Sequence, residues 1–81
     1  GGAHAGYRVY PCKDGRVAVA ALEPHFAAAL CKAAGLPASD IRTMLAPATR
    51  EAIAAFLKTR TRRQLDALAT AQDIPLHTLA A

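Results

Sequence analysis

Tyr7 to Cys12 alternates along an extended chain, with Tyr7 and Val9 on one side and Arg8 and Tyr10 on the other. Lys13-Asp14-Gly15 interrupts the run, and Asp-Gly between two alternating segments signals a hairpin. Arg16 to Leu22 reads as the returning strand, with Val17, Val19 and Ala21 on one face. Pro11 has no amide hydrogen to give a ladder, so it marks a sheet edge or the strand's end. Gly1 to Gly6 is small and reads as a flexible loop.

The period then changes. Pro24 suits the first position of a helix, where its absent donor would be unpaired anyway, and Glu23 falls at the positive end of that helix's dipole. Phe26, Leu30 and Ala33, joined by Ala29, form the apolar stripe of a helix reaching about Ala34. Gly35 is the left-handed stop expected there, with Leu36 folding back over the last turn. Ser39 is a candidate N-cap for a short helix carrying Ile41, Met44 and Leu45. Pro47 starts another, whose face is Ile53, Phe56 and Leu57 and which ends at Thr59-Arg60. Thr61-Arg62-Arg63-Gln64 has the form of a capping box before a helix with Leu65, Leu68 and Ala69 inward. Asp73-Ile74-Pro75 ends that pattern, and Ile74, Leu76 and Leu79 lead into an extended tail.

These elements predict an α+β fold: an N-terminal antiparallel β-hairpin packed against three to four short α-helices, residues 1–81 forming one domain. A lone hairpin is unstable in water, so the helices must cover one of its faces. At 81 residues the chain buries only about 60–65% of its unfolded surface and lies near the low end for a self-contained enzyme. Alanine fills 21 positions and the aromatics are only Tyr7, Tyr10, Phe26 and Phe56, so Leu, Ile and Val must build most of the core.

The formal charge of +4 permits an anionic partner, although a solvated basic surface explains most of it. Cys12 and Cys31 make no disulfide framework and no C-x-x-C zinc spacing, so both read as reduced, half-buried small apolar residues. The sequence shows no signal-peptide h-region and no apolar run near 18 residues, so no membrane association is expected and the cytoplasm is the expected compartment.

Candidate chemistry is sparse. His4, His25 and His77 are scattered over loop, first helical turn and tail, and no metal site is expected. No phosphate-binding glycine loop and no dinucleotide fingerprint occur. Glu23 stands out because a strand-to-helix corner holds a carboxylate rigidly; charge compensation of the helix end is its simplest role. Arg60, Arg62 and Arg63 are the densest positive cluster. They offer a phosphate or nucleic-acid contact, or a solvated helix start whose charge opposes the dipole. No aromatic is interleaved for stacking on bases.

Several segments, in order, resemble the family III CoA-transferases. They are Tyr7-Arg8-Val9-Tyr10 (Y-x-x-Y), Lys13-Asp14-Gly15-Arg16 (K-D-G-R) and Leu22-Glu23-Pro24-His25-Phe26 (L-E-P-x-F). Cys31 to Pro37 follows the pattern C-x-A-L-G-L-P, Phe56 to Arg62 resembles F-A-T-R-T-R, and Asp73-Ile74-Pro75 matches more loosely. The resemblance covers nearly the whole chain. It departs at Leu65, where many members carry Trp. The family includes formyl-CoA transferase, L-carnitine CoA-transferase and alpha-methylacyl-CoA racemase.

The resemblance implies a two-domain, interlocked-dimeric enzyme using a CoA thioester as substrate, either transferring CoA between carboxylic acids or racemising 2-methylacyl-CoA. The chain would be its small domain, a fragment inactive alone because the large domain carries the catalytic aspartate and, in racemases, the histidine. Glu23 matches the carboxylate that orients that histidine. Gly1 and Gly2 resemble the end of the glycine loop that closes over the active site, and Tyr7 and Tyr10 match aromatics lining the acyl pocket. The implied partners are acyl-CoA and the large domain. The alternatives are a basic nucleic-acid-binding module using Arg60, Arg62 and Arg63, or a protein-interaction module with an exposed apolar face.

Overall fold

The computed structural model describes residues 3–37 and 39–80. The chain runs β1 (Tyr7–Cys12), β2 (Gly15–Ala20), α1 (Pro24–Ala33), α2 (Ile41–Leu45), α3 (Pro47–Lys58), α4 (Arg62–Gln72) and β3 (Leu76–Ala80). The three strands form one antiparallel sheet in the order β1-β2-β3, and the helices cover one side of it. The expected α+β fold is therefore present, with the hairpin extended by a third strand. The tail pairs along β2 from Gly15↔Ala80 to Val19↔Leu76. Leu76 is buried by this pairing, and Thr78 on the same face donates to the Asp66 carboxylate of α4 at 2.7 Å.

Alternation decides the sheet's two faces. Tyr10, Cys12, Val17, Val19 and Leu76 point into the core, whereas Tyr7, Val9 and Leu79 remain exposed on the other face. Pro11 lies in the edge strand β1, where its missing donor breaks no ladder bond to a further strand. The second strand ends at Ala20, two residues before Leu22. Beyond it, the Ala21 amide still donates to Gly6 O at 2.6 Å.

Between the helices and the sheet lie Leu30, Ile53, Leu57 and Leu65, all fully buried. Each contributes about 1.5–3 kcal/mol of transfer free energy. The deep face of α1 is Ala27, Leu30 and Cys31, with Phe26, Ala29 and Ala33 flanking it, so the stripe is rotated from the expected Phe26–Leu30–Ala33 line. Small Ala27 and Cys31 allow the helix to approach closely and leave bulky Phe26 at the rim. Both cysteines are buried rather than half-buried, and Cys31 Sγ lies 3.5 Å from Met44 Sδ. Burial pushes the Cys31 thiol pKa up.

The helix ends follow local chemistry. Pro24 and Pro47 start α1 and α3. Past α1, Gly35 adopts φ +76°, Gly35 N–H donates to Lys32 O at 3.1 Å and Leu36 N–H to Cys31 O at 2.8 Å, a Schellman stop. The cap of α2 is Asp40, not Ser39: its carboxylate accepts from Thr43 N–H at 2.8 Å. Of that helix's apolar residues only Met44 is buried; Ile41 and Leu45 are exposed. At α4 the capping box forms as expected, Gln64 N–H donating to Thr61 Oγ1 at 3.1 Å and Thr61 N–H to Gln64 Oε1 at 2.9 Å.

The segment before β1 is less loose than its composition suggests. Ala5 is fully buried and its amide donates to Met44 O at 2.7 Å. The Tyr10 hydroxyl, itself in the core, donates to Ala5 O at 2.5 Å.

Candidate functional site

The open face of the sheet is built by every second residue of the three strands. Tyr7 pairs with Ala20, and Val9 with Ala18, whose other neighbour is His77. These five residues line a depression of about 500 Å³. Its walls are mostly apolar, and Tyr7 is 48% and Val9 50% exposed. The Tyr7–Ala20 end of the ladder is where the chain leaves β2 through Leu22, itself 51% exposed, and enters Glu23.

Glu23 is the N-cap of α1 by backbone position. Its carbonyl accepts from Ala27 N–H at 2.9 Å, but its side chain makes no capping hydrogen bond and is exposed. A carboxylate fixed at its base and uncommitted at its tip can orient or hydrogen-bond a group brought to it. Tyr7 and Glu23 therefore belong to the same end of the sheet.

The two tyrosines are separated. Tyr7 lies on the open face, whereas Tyr10, three positions on, is 2% exposed and holds the loop at Ala5. Burial raises the Tyr10 phenol pKa, against the lowering effect of the Arg8 and Arg50 cations. Gly1 and Gly2 lie outside the described residues.

The arginine cluster divides. The amide of Arg62 donates to Asp14 Oδ1 at 2.7 Å, and its Nε lies 3.6 Å from Asp14 Oδ2. That Nε is buried without a hydrogen bond, so the side-chain contact is an ion pair and the shorter backbone bond is the firmer tie. Asp14 thus supplies the negative charge that the start of α4 lacked. Arg60 instead lies over the Phe56 ring, 4.9 Å from its centroid. Neither arrangement presents a row of cations to a nucleic-acid backbone.

Asp14 is the residue that sequence reasoning missed. It lies 48 positions from Arg62, and nothing local in either segment points to the other. The clamp is completed by Lys13 N–H, which donates to Arg60 O at 2.8 Å. Gly15 belongs to it as well. A Cβ there would collide with Leu79 O and sit 3.0 Å from Arg62 Cδ. The K-D-G-R and T-R-T-R segments are thus the two halves of one joint.

Among the described residues no group of three or more His, Cys, Asp or Glu side chains is gathered for a metal ion. No helix there is long and apolar enough to cross a membrane.

The model of CoA-transferase family III matches residues 1–81, the whole chain. The chain therefore belongs to CoA-transferase family III, a family of enzymes whose substrate class is the CoA thioester. None of the individually curated proteins compared with it matches.

Proposed function

We propose that this chain serves as the small, lid-like domain of an acyl-CoA enzyme. The enzyme either transfers CoA between carboxylic acids or racemises a 2-methylacyl-CoA. The observation that carries the proposal is Glu23, an exposed carboxylate without a capping bond at a strand-to-helix corner, in a chain matched by the family over its full length. In this reading a larger domain supplies the reacting groups and packs toward the open sheet face. Glu23 then acts as a positioning residue: it holds a basic group in one orientation and stabilises the charge that group gains. Tyr7 borders the acyl group, Tyr10 fixes the loop behind it through Ala5, and Gly1 and Gly2 belong to the closing loop. The exposed apolar strip Tyr7–Val9–Leu79 is the surface such a domain would cover.

The test is Glu23→Gln in the enzyme containing both domains. The variant keeps size and polarity but removes the charge. A fall in kcat of roughly 10²-fold or more is expected, with a displaced pH profile, little change in KM and partial recovery in Glu23→Asp. Unchanged kcat and pH profile would remove Glu23 from the machinery.

A further inference from the structure

On the helical side of the sheet, away from the open face, a second groove runs along α4. Its volume is about 530 Å³ and it lies between that helix and the C-terminal ends of α1 and α3. The half-buried Phe56 and Leu68 line it above the fully buried Leu65, together with Lys32 and Arg60. From Gln64 to Gln72 it follows α4 for about 12 Å. No acidic residue lines it. Among the described residues neither Lys32 nor Arg60 pairs with a carboxylate, the ion pair Arg62–Asp14 being outside the groove. Arg60, two positions before α4, adjoins the start of that helix, and Lys32 brings the second cation from the last turn of α1.

An apolar trough walled by two cations that pair with no carboxylate among the described residues is complementary to a molecule with an apolar body and an anionic head. We propose that this groove binds single-chain anionic amphiphiles, of which a medium-chain carboxylate is the simplest. The chain lies over Leu68 and Ala71, and the carboxylate pairs with the Arg60 guanidinium, which lies 4.9 Å from the Phe56 ring centroid. The site is independent of the acyl-CoA reading, because it shares no residue with the open sheet face or the Glu23 corner.

The experiment is an amide-resolved NMR titration of the 81-residue chain with sodium octanoate, with octylammonium chloride as the oppositely charged control. Saturable shifts confined to Gln64, Ala67, Leu68 and Gln72 are expected from octanoate and not from octylammonium. Arg60→Gln should weaken octanoate binding about tenfold while leaving the spectrum dispersed, equivalent to about 1.4 kcal/mol. Arg63→Gln, whose side chain is outside the groove, should retain the affinity. Equal response to both amphiphiles, equal loss in the two arginine variants, shifts on the sheet's open face, or no saturation would each overturn the proposal. So would saturable binding of an acidic amphipathic peptide along α4 without any response to octanoate, which would assign the groove to a partner helix.

Discussion

Gly15→Ala adds a single methyl group at a position where φ is not in the left-handed region, so any penalty comes from space and not from backbone conformation. The added Cβ would collide with the carbonyl oxygen of Leu79 and touch Arg62 Cδ at 3.0 Å. The first neighbour is backbone of the paired strand and cannot rotate away; the second is a side chain that can. Overpacking of this kind costs about 1–3 kcal/mol, and a rigid neighbour places it toward the upper end. Reduced freedom of the unfolded chain returns about 0.4–1 kcal/mol, leaving a net loss of about 2 kcal/mol. A domain of this size holds roughly 4–12 kcal/mol in all, and such a loss lowers Tm by roughly 10 °C. The assay is thermal and urea unfolding followed by circular dichroism, with amide exchange of β3 as the local readout. Arg62→Ala should not rescue the variant, because the strand contact remains. A Tm within about 3 °C of the parent, or full rescue by Arg62→Ala, would refute this account of the glycine.

Tyr10→Phe removes the hydroxyl that holds Ala5 and leaves a buried carbonyl with a lost partner; a loss of about 1–2 kcal/mol is expected, with faster exchange at Ala5 and Gly6, and unchanged exchange there would show that the loop is held by other bonds. Asp40 accepts the Thr43 amide, and that hydrogen bond keeps its carboxyl below the ordinary aspartate value. Because the folded value lies below the unfolded one, the cap's contribution is complete above about pH 4 and disappears as pH falls through the folded value. The Thr43 amide shift should titrate with a midpoint below that of an unfolded aspartate, and Asp40→Asn should abolish the transition; a midpoint at or above the ordinary value would contradict the cap.

The elements that were legible in the sequence are those whose signals are local. Pro24, Pro47, Gly35 and the Thr61–Gln64 box each act within one turn, so composition alone locates them. The choice of Asp40 over Ser39 depended on backbone direction, since both side chains make good caps. The third strand was hidden because Leu76-His77-Thr78-Leu79-Ala80 becomes a strand only by pairing with β2, at the other end of the chain. The Asp-Gly pair points to Gly15 as a turn residue, yet the two-residue loop is Lys13-Asp14 and Gly15 is already in the strand, where a methyl group has no room. For the candidate site, the corner position of Glu23 could be read directly. Alternation also placed Tyr7 and Tyr10 on opposite faces, but which face would be covered was decided by the helices.

The pairing of Gly15 with Ala80 has a consequence for the time course of folding. The middle strand of the sheet precedes all four helices, and one of its two neighbours is made only after them. The β1–β2 hairpin closes through a two-residue loop, in roughly microseconds for an isolated hairpin, but is not stable alone. The β2–β3 ladder must enclose the whole helical segment, so its loop-closure cost falls due before its contacts form. Helix assembly shortens that span, bringing the ends together before the ladder zips. During synthesis the hairpin waits with one edge unpaired until Leu76–Ala80 has emerged. Removing the Leu76–Ala80 strand would leave that edge of β2 open and turn a transient state into a permanent one.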